Sequence, residues 1–241
     1  MPLNSTGQTT KLTANTHKET ELRAIIFDVE TTGMNTPEII EAAWEDAEGN
    51  GEDITVVRFQ PTKPIELGAI AAHHILPSDL VGCPPSSDFR LPDGVEFLIG
   101  FNVDYDWECA GKPDVRRIDL CAVARVLYPG LDSYKQNAVF YHLFGATEST
   151  RDMLVGAHSA AVDVQNCAEI FDRMKTDTEI TDIGEFWLYS EDCRIPRIMP
   201  FGKHKGEPIG NVPKGYRDWY SKQVDTDPLI LSAFDRFPCE V

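Results

Sequence analysis

Residues 22–33 read Leu-Arg-Ala-Ile-Ile-Phe-Asp-Val-Glu-Thr-Thr-Gly, an apolar run that ends in two acidic residues and a Thr-Thr-Gly turn. The apolar part has the length of a buried strand. Because side chains alternate across a strand, Asp28 and Glu30 project from the same face. Two neighbouring carboxylates repel each other, and such hard oxygen ligands suit Mg²⁺ or Mn²⁺. The stretch therefore predicts a site for a divalent cation; the alternative is an acidic strand end that faces water.

Length and composition bound the class of protein. A chain of 241 residues can bury one substantial core, and a hydrophobic content of 42% is typical of a globular protein. No apolar run approaches membrane-spanning length, and residues 1–20 lack the apolar centre of a signal peptide. The six cysteines are widely spaced without a CxxC pair, which is typical of reduced thiols. We therefore expect a cytoplasmic protein without a membrane partner.

Charge is distributed unevenly along the chain. A net charge of −17 argues against indiscriminate binding of phosphates. Residues 193–222 nevertheless have a local charge of +5, against −22 for everything else. Their basic residues are Arg194, Arg197, Lys203, Lys205, Lys214, Arg217 and Lys222. This segment predicts a small basic module, and the alternative is a solvated surface that only balances the acidic part of the chain.

Hydrophobic periodicity divides the chain into four parts. Residues 1–21 predict a flexible tail, 22–175 the main domain, 176–192 a linker with one short helix near Phe186, and 193–241 the basic module. Further extended segments are predicted at 38–44, 54–59, 95–100 and 117–120. Antiparallel strands followed by strands that alternate with helices predict an α/β fold, with a mixed sheet flanked by helices.

Three further ionisable residues lie at predicted element ends. Asp106 falls in the first turns of a helix after strand 95–100, and Asn102 is predicted to cap that helix. His158 directly precedes the helix that carries Asp163 in its second turn. Each has a structural alternative: Asp106 as a charge favoured by the helix dipole, and His158 as a capped loop histidine.

Taken jointly and in this order, the four acids and the histidine resemble the motifs of the DEDDh exonucleases, a DnaQ-like family with a ribonuclease-H-like fold. Residues 27–33 are similar to the family's FDxETTG, residues 101–106 to HNxxFD, and residues 158–163 to HxAxxD. The second motif departs at Phe101, where many relatives have histidine. The resemblance implies the ribonuclease-H-like version of the mixed sheet flanked by helices.

A narrower resemblance points to the exodeoxyribonuclease X group of this family. Residues 64–76, which include His73, are similar to a segment that bears a His-Gly-Ile-Thr-like motif, with His74 and Leu76 in place of Gly and Thr. Residues 128–130 and 199–206 are also similar to that group, the latter to its FGKYRG-type C-terminal module. The resemblance covers residues 22–223 and includes the basic segment.

The resemblance implies a 3′→5′ exonuclease that acts on single-stranded DNA or on 3′ ends and releases nucleoside 5′-monophosphates. Asp28, Glu30, Asp106 and Asp163 are expected to hold two Mg²⁺ ions about 3.5–4 Å apart, and Mn²⁺ is an expected substitute. His158 is expected to take the proton from the attacking water, since an imidazole titrates near neutral pH.

Substrate contacts are expected at two places. The first comprises the turn Thr31-Thr32-Gly33, which brings hydroxyls and backbone close to the terminal nucleotide, together with His73 and Asn102. The second is the loop that carries Lys203 and Lys205, predicted to contact phosphates upstream of the cleaved end. The aromatic residues near this loop, on which an unpaired base would stack, are Tyr216, Trp219 and Tyr220.

Two other functions agree with the same sequence. One is the same chemistry on RNA, as in ribonuclease T or oligoribonuclease relatives, because recognition of a 2′-hydroxyl depends on geometry. The other is a non-catalytic protein that binds DNA ends through residues 193–222. The sequence is compatible with a monomer and with a homodimer.

Overall fold

The computed structural model describes residues 22–49, 53–155 and 159–239. One sheet in these ranges comprises β1 (Arg23–Thr31), β2 (Ile39–Asp46), β3 (Thr55–Arg58), β4 (Val95–Gly100) and β5 (Arg116–Asp119). The strands lie in the order β3-β2-β1-β4-β5. β1 runs antiparallel to β2 and parallel to β4, while β3 is antiparallel to β2 and β5 parallel to β4. The predicted mixed sheet is confirmed.

Helices flank this sheet and also form the C-terminal part of the chain. Those in the described ranges are α1 (Leu67–His73), α2 (Asp104–Cys109), α3 (Leu120–Leu127), α4 (Gln136–Phe144), α5 (Glu148–Met153), α6 (Ala160–Thr178), α7 (Ile183–Arg194), α8 (Lys214–Tyr220) and α9 (Pro228–Arg236). None of them combines the length and the apolar character that crossing a lipid bilayer requires.

Alternate side chains of β1 pack into two hydrophobic clusters on opposite faces of the sheet. Ile25, Phe27 and Val29 face a cluster that includes Phe59 and Leu98. Ala24 and Ile26 face the opposite cluster, which is covered by α6. Because the face alternates every residue, Asp28 and Glu30 extend the α6 side of β1 beyond its apolar part. The strand thus changes from core to acidic surface at one end.

Residues 176–192 differ from the predicted linker. Their first residues complete α6, and most of the remainder forms α7, which packs on β5 and α3. The buried side chains of α7 are Phe186, Ser190 and Cys193, and the Phe186 ring contacts Phe171 of α6 at 5.0 Å. This spacing is that of one helix face, so α7 belongs to the core of the domain.

The C-terminal part has a core of its own. Met199, Ile209, Val212, Tyr220, Ile230, Ala233 and Phe234 form a buried cluster. Arg217 is buried beside it and donates hydrogen bonds to the carbonyls of Ile209, Val212, Phe234 and Phe237. A guanidinium has five N–H donors, so one side chain joins the segment around Ile209 and Val212 to helix α9 and the residue after it. Arg217 therefore serves this core, and it is not available to a phosphate.

Candidate active site: an acidic pocket at the end of β1

Three carboxylates from two elements converge at the acidic end of β1. Asp28 and Glu30 project from the strand, and Asp163 comes from α6, which packs across it. Asp163 lies in the first turn of that helix, one turn earlier than predicted, because α6 begins at Ala160. One oxygen of each residue lies within 4.8 Å of the other two. The pocket around them has a volume of about 340 Å³ and is also lined by Met34, Phe101, Asn102, Tyr105 and Asp106.

The fourth predicted acid, Asp106, reaches the same pocket from helix α2. The paired registers of β1 and β4 end at Ile26 and Ile99, so β1 extends beyond its parallel neighbour. The Val29 N–H, which lies in that extension, donates to Asp106 Oδ1 at 3.2 Å. A buried backbone donor needs an acceptor, and here the carboxylate replaces the missing strand. This contact fixes Asp106 beside Asp28.

Crowding and burial make these carboxyl groups hard to ionise. Burial, followed by the charges of Asp163, Glu41 and Asp106, raises the pKa of Glu30 from 4.5 to about 8. Burial also raises the pKa of Asp106 from 3.8 to about 7, although the Val29 N–H opposes this shift. The pKa of Asp28 is raised well above its ordinary value, by burial and by the neighbouring acids.

The donor set fits divalent cations. Hard cations such as Mg²⁺ and Mn²⁺ prefer carboxylate oxygens, and the cluster supplies oxygens from three residues at mutual distances suited to one shared ion. The raised pKa values show that the same groups destabilise one another when they are ionised without a cation. A bound cation would reverse that effect, because it favours the charged form of each ligand.

The Thr-Thr-Gly turn that follows β1 is held from three directions. The Thr31 hydroxyl lies 2.7 Å from the Tyr105 hydroxyl on α2. Thr32 donates its N–H to the Glu38 carbonyl at 3.0 Å and accepts from the Glu66 N–H at 2.8 Å. Thr31 and Thr32 are buried. The Thr31 side chain and the Thr32 backbone thus brace the turn, and the nucleotide contacts predicted for Thr31 and Thr32 remain a prediction.

Glycine is required at position 33. Gly33 has φ +135°, and a Cβ built there would lie 2.3 Å from the Glu66 carboxyl group. Any side chain would therefore strain the backbone and displace Glu66. The positive φ and the close approach of Glu66 explain why glycine occupies this position, and the predicted contact of Gly33 with substrate remains a prediction.

Asn102 lies at the mouth of the pocket in a different role from the predicted helix cap. The residue before α2 is Val103, without a side-chain cap, and Asn102 has φ +70°. The Asn102 N–H donates to Asp119 Oδ1 at 3.0 Å, and the same oxygen accepts from the Cys121 N–H at 2.9 Å. Asparagine tolerates this left-handed conformation better than most residues, which explains its presence here.

The structure describes only one of the two histidines that were predicted as site residues. His158 lies outside the described residues, so its role as a base remains a prediction. His73 is buried at the end of α1, and its Nδ1 accepts from the Ile75 N–H at 2.9 Å. Burial lowers the pKa of His73. The residues that the structure describes around the acidic pocket do not include His73, and its substrate contact stays a prediction.

The basic loop forms a tight turn away from the carboxylates. Residues Gly202–His204 make a 3-10 turn, with Lys203 and Lys205 exposed on either side of the buried His204. Gly202 has φ +74°, and a Cβ there would lie 2.6 Å from the Tyr216 hydroxyl. Trp219 is 52% exposed, whereas Tyr220 is 5% exposed and belongs to the C-terminal core. The expected stacking role of Tyr220 is therefore wrong.

Several residues that organise the site were not predicted. Tyr105 was quoted only as part of a motif, although its hydroxyl joins α2 to the turn. Asp119 ends β5 and holds the Asn102 backbone. Glu41 lies opposite Glu30 on β2, where it is buried and paired with Arg58 at 2.7 Å. A carboxylate at a strand end was the available signal for Asp119, and the alternation of β2 was the signal for Glu41.

Comparison with known proteins gives a fold. No family model matches the sequence. No curated protein matches it either. Among solved structures, exonuclease X in complex with 5′ overhanging duplex DNA has a TM-score of 0.53 and 19% identity, covering 68% of this chain and 99% of that chain.

Structures of exonuclease I are also similar. The zinc-bound form of the E. coli exonuclease I–ssDNA complex has a TM-score of 0.53 and 17% identity, covering 72% of this chain and 43% of that chain. Another exonuclease I structure has a TM-score of 0.52 and 18% identity, covering 72% and 44%. This chain thus spans less than half the length of exonuclease I. Together the matches show that this chain has the ribonuclease-H-like α/β fold, which it shares with exonuclease X and exonuclease I.

Proposed function

We propose that this protein is a metal-dependent exonuclease that hydrolyses DNA from the 3′ end and releases nucleoside 5′-monophosphates. The observation that carries the proposal is the convergence of Asp28, Glu30 and Asp163 on one point, on an exonuclease fold. Buried like charges are costly, so their assembly at one strand end is best explained by a cationic ligand. Asp106 lines the same pocket and completes the acidic set.

The proposed metal ligands are Asp28, Glu30, Asp106 and Asp163, and the proposed ions are Mg²⁺ or Mn²⁺. Bound there, two such ions would supply an activated water and stabilise charge on the leaving 3′-oxygen. Asp106 is held by the Val29 N–H before any ion binds, so this ligand is preorganised. His158 is proposed to accept the proton of the attacking water, and its place in the sequence five residues before Asp163 supports this role.

DNA is the proposed substrate for two reasons. The similar structures of exonuclease X and exonuclease I are complexes with duplex DNA that has a 5′ overhang and with single-stranded DNA. In addition, Lys203 and Lys205 are exposed on the C-terminal part, where they are available to phosphates. The turn at Thr31, with Asn102 across the pocket, is proposed to enclose the terminal nucleotide.

Digestion of end-labelled nucleic acids tests this function. Single-stranded DNA, duplex DNA and RNA, each labelled at the 3′ end in one sample and at the 5′ end in another, are incubated separately with Mg²⁺ and with EDTA. We expect early release of the 3′-labelled mononucleotide from DNA with Mg²⁺, and none with EDTA. Asp28→Asn, purified identically, controls for a contaminating nuclease.

Three results would contradict the proposal. Wild-type protein that degrades no nucleic acid with Mg²⁺ or Mn²⁺ is not a nuclease. A 5′-terminal label released first would reverse the polarity. Faster degradation of RNA than of DNA would support the ribonuclease alternative.

A further inference from the structure

A second cavity of about 810 Å³ lies between the nuclease domain and the C-terminal part. One wall is formed by α3 and the segment that follows it, including Arg125 and Tyr134. The other wall is formed by residues 193–200 with Lys205 and Gly206. Its size is that of a site for an organic ligand or for part of a polymer.

The cavity adjoins the acidic pocket. Asn102 lines both, so the two spaces meet at this residue. The Asn102 backbone is fixed by Asp119, which also lines the larger cavity. The two spaces are therefore neighbours on either side of a residue whose backbone is held in place.

The two spaces differ in charge. The acidic pocket contains Asp28, Glu30 and Asp163, whereas four cations and two acids, Asp104 and Asp119, line the larger cavity. One of the cations, Arg194, is paired with Asp104, and the other three are Arg125, Arg197 and Lys205. All three are exposed, and none forms an ion pair with a carboxylate in the ranges 22–49, 53–155 and 159–239. Cations that no carboxylate neutralises are available to phosphates.

Two further features suit a single strand of nucleic acid. The Arg125 guanidinium lies 4.7 Å from the centre of the Tyr134 ring, which gives the wall a stacked planar surface of the kind that bases contact. Arg194 also lines the cavity; it pairs with Asp104, and its buried Nη1 has no hydrogen-bond partner among the residues described. An acceptor on a bound ligand would satisfy that donor.

We propose that this cavity, here called the interdomain cleft and defined by Arg125, Tyr134, Arg197 and Lys205, binds the single strand immediately upstream of the nucleotide being removed. This inference rests on the proposed nuclease function. It adds Arg125 and Arg197 to the substrate-binding residues, and it places Lys205 on the strand path. The cleft binds the substrate backbone regardless of base sequence, because its cations meet phosphates.

Matched variants test the cleft. Arg125→Gln and Arg197→Gln each remove an exposed charge from it, and Lys222→Gln removes an exposed charge elsewhere on the C-terminal part. Each protein is first shown to unfold at the wild-type temperature. The substrates are single-stranded DNA of about 15 nucleotides, near the upper site size of a single-strand binding domain, and a trinucleotide.

The two substrates separate binding in the cleft from chemistry. Each cleft variant should raise KM for the longer DNA about tenfold, the loss expected for one charged hydrogen bond. Turnover at saturation and activity on the trinucleotide should stay within about twofold of wild type, because the metal site is intact. The slope of log Kd against log salt should fall by about 0.7 per lost phosphate contact. Lys222→Gln should change none of these.

Neutral linkages identify the contacted phosphate. A methylphosphonate is introduced at successive positions from the 3′ end, and binding is measured with Ca²⁺ in place of Mg²⁺ while cleavage is monitored. The linkage that weakens wild-type binding should have no effect on the variant that lacks its partner, as in a double-mutant cycle. A wild-type protein that neither binds nor cleaves DNA would refute the nuclease function. A wild-type protein that does both, with cleft variants indistinguishable from Lys222→Gln, would refute the cleft alone.

Discussion

The Tyr105 hydroxyl lies 2.7 Å from the Thr31 hydroxyl and 3.4 Å from the Gly33 carbonyl. This contact joins helix α2 to the turn that follows β1. Burial raises the pKa of Tyr105 to about 12, so the phenol keeps its proton at neutral pH. Because α2 carries Asp106 and β1 carries Asp28, the pair ties together the two elements whose carboxylates must remain aligned.

Removing the Tyr105 hydroxyl should loosen this alignment. We expect Tyr105→Phe to lower turnover about tenfold, since small displacements of positioned groups are costly to the rate. The midpoint of thermal unfolding should fall by about 2–4 °C, the shift that corresponds to the loss of about one hydrogen bond in a domain of this size. Tyr141→Phe is the control, because no side-chain hydrogen bond among residues 22–49, 53–155 and 159–239 involves Tyr141. Equal rates for the two variants would contradict a positioning role.

The metal assignment predicts a specific loss in Asp28→Asn. Exchange of one carboxylate oxygen for an amide keeps the size of the side chain and removes a charged ligand. The rate of DNA cleavage should fall more than about 100-fold. This loss exceeds the one expected for residues that only hydrogen-bond to a metal ligand. DNA binding should partly survive. Asp114→Asn, an exposed acid away from the pocket, should cleave like wild type. Full activity of Asp28→Asn at saturating Mg²⁺ would remove Asp28 from the ligand set.

Without metal, the protein should lose stability as the pH rises. A folded-state pKa of about 8 for Glu30, against an ordinary 4.5, means that the folded protein holds this proton more tightly than the unfolded chain does. Stability is therefore greatest below pH 4.5 for this group, and it is lost as the pH rises toward about 8. Asp106, with a pKa of about 7, acts in the same direction.

Scanning calorimetry in EDTA and in Mg²⁺ measures this effect. The unfolding temperature in EDTA should fall between pH 5 and pH 8, and the increase caused by Mg²⁺ should be larger at the higher pH, where the ligands are ionised. Glu30→Gln removes the titrating group, so its unfolding temperature in EDTA should depend less on pH. An identical pH dependence for Glu30→Gln and wild type would show that other groups dominate.

The proposed base gives a prediction about the rate. His158→Ala should lower turnover by about 10²–10⁴-fold, the usual contribution of a general base. Stabilisation by Mg²⁺ in calorimetry should stay near wild type, because the proposed ligands are carboxylates. The acidic limb of the pH–rate profile that reports imidazole protonation should disappear in the variant. If that limb persists unchanged at saturating Mg²⁺, another group accepts the proton.

Replacing two cations of the basic segment should affect different properties of the protein: stability for Arg217, and DNA binding for Lys203. Arg217→Met should lower the free energy of unfolding by about 3 kcal/mol, because buried carbonyls lose their donor. Lys203→Met should leave stability within about 0.5 kcal/mol of wild type, as for an exposed side chain. It should weaken DNA binding and its salt dependence. Chemical denaturation and fluorescence anisotropy test both statements, and unaltered DNA binding by Lys203→Met would make that lysine a solvated surface residue.

Patterns among residues close in sequence were enough to predict the acidic residues of the pocket. The alternation along β1 correctly predicted that Asp28 and Glu30 share a face, because the strand period follows from backbone geometry. Asp163 was identified through its motif, and the structure places it within reach of both. In each case the property depends on residues that are close in sequence or on one dominant periodicity.

Other features depend on partners that sequence does not reveal. Counting charges treated Arg217 like Lys203, although only one of them is surrounded by carbonyls. Tyr220 and Trp219 are adjacent aromatics, yet the turn of α8 buries the first and exposes the second. Asparagine is a common helix cap, which suggested that role for Asn102, but the backbone of Asn102 is left-handed and is held by Asp119 from β5. Long-range contacts decided each outcome.

The packing of α7 determines where the chain can be divided. A fragment that ends at residue 175, where the polar sequence begins, would lack Phe186 and also Ser190, which accepts from the Asp119 N–H. It would also lack Arg194, whose ion pair with Asp104 lies two residues from Asp106. A recombinant fragment therefore has to extend through α7 to keep the acidic pocket. For the same reason, an exchange of C-terminal parts between genes preserves the pocket only when the crossover falls beyond Arg194.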